Sequence, residues 1–139
     1  MGFCVFASKS YLDRHGVPSH PDELREHKLI QYSEHMLHLP WFAWLETHAN
    51  KGAPAMRADG TEMATSLVAA GSGIGVLPAF SGDHSPELIR VFTDPIAFAV
   101  GWIVYHETAR ASARIRAVVE LLTEFVAAKS EELSGRRAS

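Results

Sequence analysis

A glycine-rich run at residues 69–78, with the sequence AAGSGIGVLP, constrains the fold of this chain most strongly. A helical pattern of apolar residues precedes the run, and a short apolar strand follows it and stops at Pro78. Gly71 is able to adopt the positive φ that ends a helix, and the later glycines allow close packing of the strand. A dinucleotide-binding fingerprint has the opposite order, since its glycines follow a strand and open a helix. The run therefore predicts a tight helix-to-strand connection inside an α/β core, and a phosphate-binding loop is disfavoured.

Composition limits the classes of protein to which the chain can belong. Its 139 residues, 47% of them hydrophobic, suffice for one globular domain with a core. The net charge of -3 argues against an electrostatic surface for nucleic acid. The single cysteine, Cys4, lies in an apolar run and is predicted to be a buried, inert thiol. No apolar stretch has membrane-spanning length and the N-terminus lacks a signal-peptide pattern, so we expect a cytoplasmic protein without membrane contact.

Apolar runs alternate with helical patterns along the chain, which predicts an α/β fold with a largely parallel sheet. Six strands are predicted, at residues 2–7, 28–32, 53–58, 73–77, 88–92 and 101–105. Short helices are expected to open at Ser10 and at Pro21, and the first of them is expected to end at Gly16. An aromatic-rich extended segment is expected between the second and third strands, with Trp41, Phe42, Trp44 and Leu45.

Two longer helices are predicted in the second half of the chain. Residues 59–62, DGTE, have the spacing of a capping box in which Asp59 caps a helix that ends at Gly71. Ser112 is expected to cap the last helix. The apolar residues of that last helix recur at helical spacing and form a stripe of Ile115, Val118, Val119, Leu122, Phe125 and Val126.

Several short motifs stand in the order and spacing of one known family. They are ASKSYL at 7–12, PDEL at 21–24, HKLI at 27–30, WIVYH at 102–106 and SARIRA at 112–117. Together with YLDRHGVP at 11–18 and the glycine-rich run, they make residues 2–125 resemble the effector-binding domain of a LysR-type transcriptional regulator. The resemblance implies a type 2 periplasmic-binding-protein-like α/β fold with a three-layer subdomain. It also implies a non-catalytic sensor that needs no cofactor.

The resemblance implies a division of the chain as well. Residues 1–98 would be effector-binding subdomain II, residues 99–130 the terminal strand and helix of subdomain I, and residues 131–139 a disordered tail. No helix-turn-helix is recognisable, so the chain resembles a truncated fragment that would bind DNA only through a missing N-terminal part. The last helix then lacks most of the sheet that it should cover, which predicts a homodimer or a higher oligomer.

Open α/β sheets bind ligands at the carboxyl ends of their parallel strands. In the resembled family these ends face the cleft between the subdomains, and here they carry Tyr32, Ser33, Arg57, Ala58, Asp59 and Pro78, next to Ala79. Arg57 is the natural partner for a carboxylate, because a guanidinium binds it through two parallel hydrogen bonds, whereas Asp59 is expected to act mainly as the helix cap. We therefore expect a small organic acid or aromatic metabolite to bind there. An alternative wall for the ligand consists of Trp41, Phe42 and Trp44.

Other functional classes stay open beside the sensor. His35 and His38 stand three residues apart near Glu34 and His48, but a zinc site needs three or four converging ligands with supporting partners. Ser72 is not in the G-x-S-x-G turn of a hydrolase. The alternatives are a small hydrolase-like or metal-dependent α/β enzyme, and a degenerate regulator fragment that acts only as an interaction module. No catalytic or metal-binding residue is predicted.

Overall fold

The computed structural model of the chain describes residues 1–48 and 56–136. Within these residues the strands are β1 (Gly2–Ser8), β2 (Leu29–Tyr32), β3 (Met56–Ala58), β4 (Ile74–Pro78), β5 (Leu88–Arg90) and β6 (Ala97–Phe98). The α-helices are α1 (Lys9–His15), α2 (Pro40–His48), α3 (Thr61–Ala69), α4 (Ala79–Asp83), α5 (Ala113–Ala128) and α6 (Ser130–Ser134). Shorter 3-10 helices cover Pro21–Glu26, Glu34–Met36 and Glu107–Ala111.

One mixed sheet runs through the domain, with the strand order β3-β2-β4-β1-β5 and with β6 paired to β1. β2 is parallel to β3 and β4, whereas β1 is antiparallel to β4, β5 and β6. The predicted α/β class is confirmed, but the sheet is not largely parallel. A single helical crossover joins parallel neighbours. Here two short helical segments, at 9–15 and 21–26, join β1 to β2 and return the chain to the edge where β1 ended.

Helices cover both faces of the sheet, because successive residues of a strand point to opposite faces. In β1, Cys4 and Phe6 enter one buried cluster, while Phe3 and Val5 enter the other. Helices α3 and α4 contribute to the first cluster, α1 and the 3-10 helix at 21–26 contribute to the second, and α2 adds a buried side chain to each. These are the three predicted layers, and Cys4 is buried as predicted.

The glycine-rich run makes the predicted connection from α3 to β4. Gly71 lies just beyond the end of α3 and has a φ of 75°. A Cβ at Gly73 would lie 2.5 Å from the carbonyl oxygen of Lys28, and a Cβ at Gly75 would lie 2.8 Å from Cγ2 of Val68. Glycine is therefore required for the close approach of β4 to the start of β2 and to α3. The predicted helix end and the close packing are both confirmed.

Most of the predicted elements before residue 100 are present at the expected places. The strands predicted at 2–7, 28–32, 73–77 and 88–92 correspond to β1, β2, β4 and β5. Residues 53–55 of the third predicted strand lie outside the described residues, and the remainder forms β3. The first short helix begins at Lys9, one residue before the predicted start, and ends at Gly16 as predicted. Its cap is Ser8, whose hydroxyl accepts from the N–H of Tyr11 at 3.2 Å.

The aromatic segment that was expected to be extended is helical instead. Helix α2 begins at Pro40, and proline suits the first turn of a helix because that turn does not use its N–H. Phe42 and Leu45 stand three residues apart, so they share one face of the helix, and both are buried. Packing of this face against the domain outweighs the preference of aromatic residues for strands.

Helix α3 begins without the predicted capping box. Its N-cap is Gly60, and no side-chain hydrogen bond caps the helix. Asp59 instead accepts a hydrogen bond from the hydroxyl of Ser33, the residue after β2. The capping prediction for Asp59 is wrong because a neighbouring chain segment engages the carboxylate.

The C-terminal part of the chain differs most from the prediction. Residues 101–106 have no regular secondary structure, so the strand predicted at 101–105 is wrong. No described strand pairs with this segment, and a strand needs a neighbour for its backbone hydrogen bonds. Ser112 is the N-cap of α5 as predicted, without a side-chain hydrogen bond. Helix α6 packs on α4, which corrects the prediction of a disordered tail for residues 131–136, and residues 137–139 lie outside the described residues.

Candidate functional site: the rim of the parallel strands

The carboxyl ends of β2, β3 and β4 lie at one edge of the sheet, because these three strands are parallel. Tyr32 pairs with Ala58 where β2 and β3 end. Ser33 follows, and its backbone N–H donates to the carbonyl oxygen of Ala58 at 3.1 Å. Pro78 ends β4 on the other side of β2. The structure therefore brings the predicted residues to this edge, which we call the rim.

The side chain of Tyr32 lies in the core, directly below the rim. Its side chain is 1% exposed, and its hydroxyl donates to the carbonyl oxygen of Val76 at 2.9 Å. Its ring stacks on Phe42, with 3.6 Å between the ring centroids. Burial raises the pKa of the Tyr32 hydroxyl well above its usual range, so the hydroxyl stays a neutral donor. The side chains of Tyr32 and Ala58 are both buried, and a ligand at the rim would meet only their backbone.

Arg57, Ser33 and Asp59 form the polar part of the rim. Arg57 is exposed, and its Nη1 donates to the carbonyl oxygen of Tyr32 at 3.0 Å. A guanidinium carries five N–H donors, so it is able to hold this carbonyl and an anion at once. The hydroxyl of Ser33 donates to Oδ1 of Asp59, which engages one oxygen of the carboxylate. The rim therefore presents the guanidinium of Arg57 together with the carboxylate of Asp59, which already accepts a hydrogen bond from Ser33.

A cavity of about 360 Å³ adjoins the rim at the end of β4. It lies between the first turns of α3 and α4 and is lined by Thr61, Glu62, Thr65, Pro78, Phe80 and Ser81. Among these residues, only Pro78 belongs to the predicted set. The other five residues lie in the first two turns of the helices that follow β3 and β4. A search that included these turns as well as the carboxyl ends of the parallel strands would have identified them. The walls combine hydroxyl groups and the carboxylate of Glu62 with the apolar surfaces of proline and phenylalanine.

Comparison with known protein families assigns the chain to one of them. The family model described as the LysR substrate binding domain matches residues 2–127, which is most of the chain. This chain belongs to the LysR substrate-binding domain family. The resemblance carried by the sequence motifs is thereby confirmed, together with the type 2 periplasmic-binding-protein-like fold. No curated protein sequence matches the chain.

Two solved structures of CrgA, a LysR-type transcriptional regulator from Neisseria meningitidis, are similar to this LysR substrate-binding domain. The CrgA regulatory domain is 27% identical with a TM-score of 0.66, and the match covers 88% of this chain and 63% of that chain. A second CrgA structure is 28% identical with a TM-score of 0.67, and the match covers 90% of this chain and 45% of that chain. The present chain therefore spans less than two thirds of either CrgA chain.

The aromatic residues considered as an alternative wall lie on α2, where Phe42 stacks on Tyr32 of β2. Trp41 stacks on Phe3 with 4.4 Å between ring centroids. Trp44 packs on the ring of His48 at 4.1 Å. These rings therefore pack mainly against the protein's own aromatic side chains.

The paired histidines make a local contact. Nδ1 of His38 lies 2.8 Å from the carbonyl oxygen of His35, so this ring nitrogen is directed at the backbone. Across residues 1–48 and 56–136, no group of three or more histidine, cysteine, aspartate or glutamate side chains is placed to hold a metal ion. Within the same ranges, no helix has both the length and the apolar character needed to cross a membrane.

Proposed function

We propose that this LysR substrate-binding domain is the sensor part of a transcription regulator, with the rim as one wall of an effector cleft. One observation carries the proposal: the parallel ends of β2, β3 and β4 place Arg57 and the cavity at Pro78 on the same edge. Residues 1–98 would form subdomain II, and residues 99–130 would belong with subdomain I. This division is supported by the two buried clusters, whose buried residues lie within residues 3–88, whereas α5 contains none.

The chemistry of the rim favours a small organic acid, aromatic acids included. Arg57 supplies N–H donors for a carboxylate, and the cavity supplies the apolar surface of Phe80 for a ring. The carboxylates of Asp59 and of Glu62 in the cavity wall oppose an anion, although the hydroxyl of Ser33 already donates to that of Asp59. Binding would stabilise one arrangement of the two subdomains, and through it one arrangement of a cytoplasmic dimer that contacts DNA by an N-terminal helix-turn-helix.

Arg57→Ala is expected to abolish the binding of organic acids at the rim. This chain supplies one wall of the cleft, so we expect weak binding, with a Kd of about 1 mM. Two-dimensional amide NMR spectra, recorded with a panel of aromatic and aliphatic acids, would show shifts at Ser33, Asp59 and Thr61 in the native chain. The same acids are expected to leave these signals unmoved in the variant.

Arg25→Ala is the matched control. Arg25 is another exposed arginine, and it lies on the 3-10 helix that precedes β2, at the opposite end of that strand from the rim. This variant should bind the acids as the native chain does. If the shifts at the rim persist in Arg57→Ala, Arg57 does not hold the acid, whereas shifts confined to Trp41 and Trp44 would move the site to α2. A native chain that responds to no acid would instead favour an interaction module without an effector.

Leu122→Asp is expected to weaken self-association of the chain at least tenfold without unfolding the sheet. We propose that α5 carries the contact between two copies, because Leu122 is 45% exposed and Phe125 is 61% exposed. An aspartate there would place a charge in an apolar contact, where it has no compensating partner. Light scattering over a range of concentrations measures the association, and circular dichroism measures the fold.

Ala113 stands nine residues before Leu122 and therefore on the opposite face of α5, so Ala113→Asp adds the same charge there and controls for charge alone. It should leave the association unchanged. If Leu122→Asp loses folded structure and association together, α5 belongs to the core of the monomer and the proposed contact is wrong.

A further inference from the structure

The rim holds charged groups of opposite sign close together. Nη1 of Arg57 donates to the carbonyl oxygen of Tyr32 at 3.0 Å, and the hydroxyl of the next residue, Ser33, donates to Oδ1 of Asp59. The Cα atoms of consecutive residues are only about 3.8 Å apart. The guanidinium and the carboxylate are therefore held against the same short stretch of backbone, where β2 ends.

Both of these groups keep binding capacity for a ligand. Among residues 1–48 and 56–136, Arg57 forms no ion pair with Asp59 or with Glu62. Ser33 engages one oxygen of the Asp59 carboxylate, so the other oxygen is able to accept from a second donor. The guanidinium likewise has N–H donors beyond the one that the carbonyl oxygen of Tyr32 accepts. One ligand is therefore able to contact both groups at once.

The rim and its cavity carry more negative charge than positive charge. Glu62 lines the cavity from the first turn of α3, and Asp59 lies two residues before that helix begins. Arg57 attracts a ligand whose only charge is a carboxylate, but Asp59 and Glu62 repel such a ligand. An ammonium group on the same ligand turns this repulsion into attraction.

We propose that the effector is an amino acid with an apolar side chain, held by Arg57 through its carboxylate and by Asp59 through its ammonium. The inference rests on the proposed effector cleft and names the class of acid that this cleft takes. The two charged groups of an α-amino acid are bonded to one carbon, which matches the short stretch of backbone that holds Arg57 and Asp59. The side chain then enters the cavity, where Pro78 and Phe80 supply apolar surface. Glu62, in the wall of the same cavity, adds to the attraction for the ammonium at longer range.

Three compounds that share a phenyl ring separate the contributions of the two charges. L-Phenylalanine carries the carboxylate and the ammonium, 3-phenylpropanoate carries only the carboxylate, and 2-phenylethylamine carries only the ammonium. Amide NMR titrations of the native chain give the Kd of each compound from the signals of Ser33 and Thr61. We expect phenylalanine to bind at least ten times more tightly than either singly charged compound, because each of its charges then has a partner of opposite sign.

Asp59→Asn tests the carboxylate. The asparagine oxygen still accepts from the hydroxyl of Ser33, but it has no charge for the ammonium. We expect the tenfold preference for phenylalanine over 3-phenylpropanoate to fall below threefold. Asp13→Asn is the matched control, because Asp13 is exposed on α1, and α1 begins where β1 ends, at the opposite end of the sheet from the rim. This control variant should keep the full preference.

Two results would overturn the inference. The first is an equal affinity of the native chain for phenylalanine and 3-phenylpropanoate, and the second is a preference that stays above threefold in Asp59→Asn. In either case the binding of acids through Arg57, which Arg57→Ala measures, would still stand. If neither the amino acid nor any acid moves the signals of the rim, the proposed effector cleft is wrong as well.

Discussion

Phe42→Ala is expected to lower the free energy of unfolding by about 3–5 kcal/mol, the usual range for removing a buried phenylalanine ring. Phe42 is 2% exposed and joins the core beneath the rim to the layer formed by α2. Its ring stacks on Tyr32 and meets the ring of Phe3 edge-on at 6.3 Å. Because domains of this size are stable by only about 5–15 kcal/mol, urea titration followed by circular dichroism should show a much lower midpoint.

Phe80→Ala is the control for this experiment. Phe80 is 37% exposed at the wall of the rim cavity, so less apolar surface returns to water when its ring is removed. Its loss of stability should be clearly smaller than that of Phe42→Ala. If the two losses were equal, α2 would not be packed on the sheet as described.

Asp83→Asn is expected to lower the free energy of unfolding by about 2–4 kcal/mol, because it leaves a buried guanidinium without its counter-charge. The Arg90 side chain is 3% exposed, and Asp83 contacts both its Nε and its Nη2. Hydrogen bonding to Asp83 raises the pKa of Arg90, which keeps this arginine charged at every pH of interest. The Asp83 side chain is 29% exposed, so the expected loss lies below that of a fully buried pair.

Asp22→Asn removes the same charge from an exposed ion pair with Arg25, in which Nη2 and Oδ1 are 4.0 Å apart. Exposed pairs of this kind contribute about 0–1 kcal/mol, so this variant should unfold almost as the native chain does. Urea titration of both variants under the same conditions makes the comparison. A similar loss of unfolding free energy in the two variants would mean that water stabilises the Arg90 guanidinium as well as Asp83 does.

The rim could be predicted from the sequence because strand ends are marked locally. Apolar runs that stop at Tyr32, Ala58 and Pro78 define three strand ends. The helix predicted between the last two of these strands indicates that they run in the same direction, as observed for β3 and β4. The direction of the Tyr32 side chain could not be predicted in the same way, because it depends on Phe42 and Val76, which lie elsewhere in the chain. The contacts of Gly135 with Arg90 and Ala79 were missed for the same reason, since these two residues come from other elements of the chain.

The sequence by itself determined the α/β class, the order of most elements, the helix end at Gly71 and membership of the LysR substrate-binding domain family. These properties depend on local periodicity, on backbone freedom at particular residues and on the order of short motifs. Only the tertiary structure decided the antiparallel direction of β1, the helical state of α2, the partner of Asp59 and the irregular backbone of residues 101–106. Each of these depends on groups distant in sequence: a side chain becomes buried or hydrogen-bonded, and a strand gains a neighbour, only when the remote partner is in place.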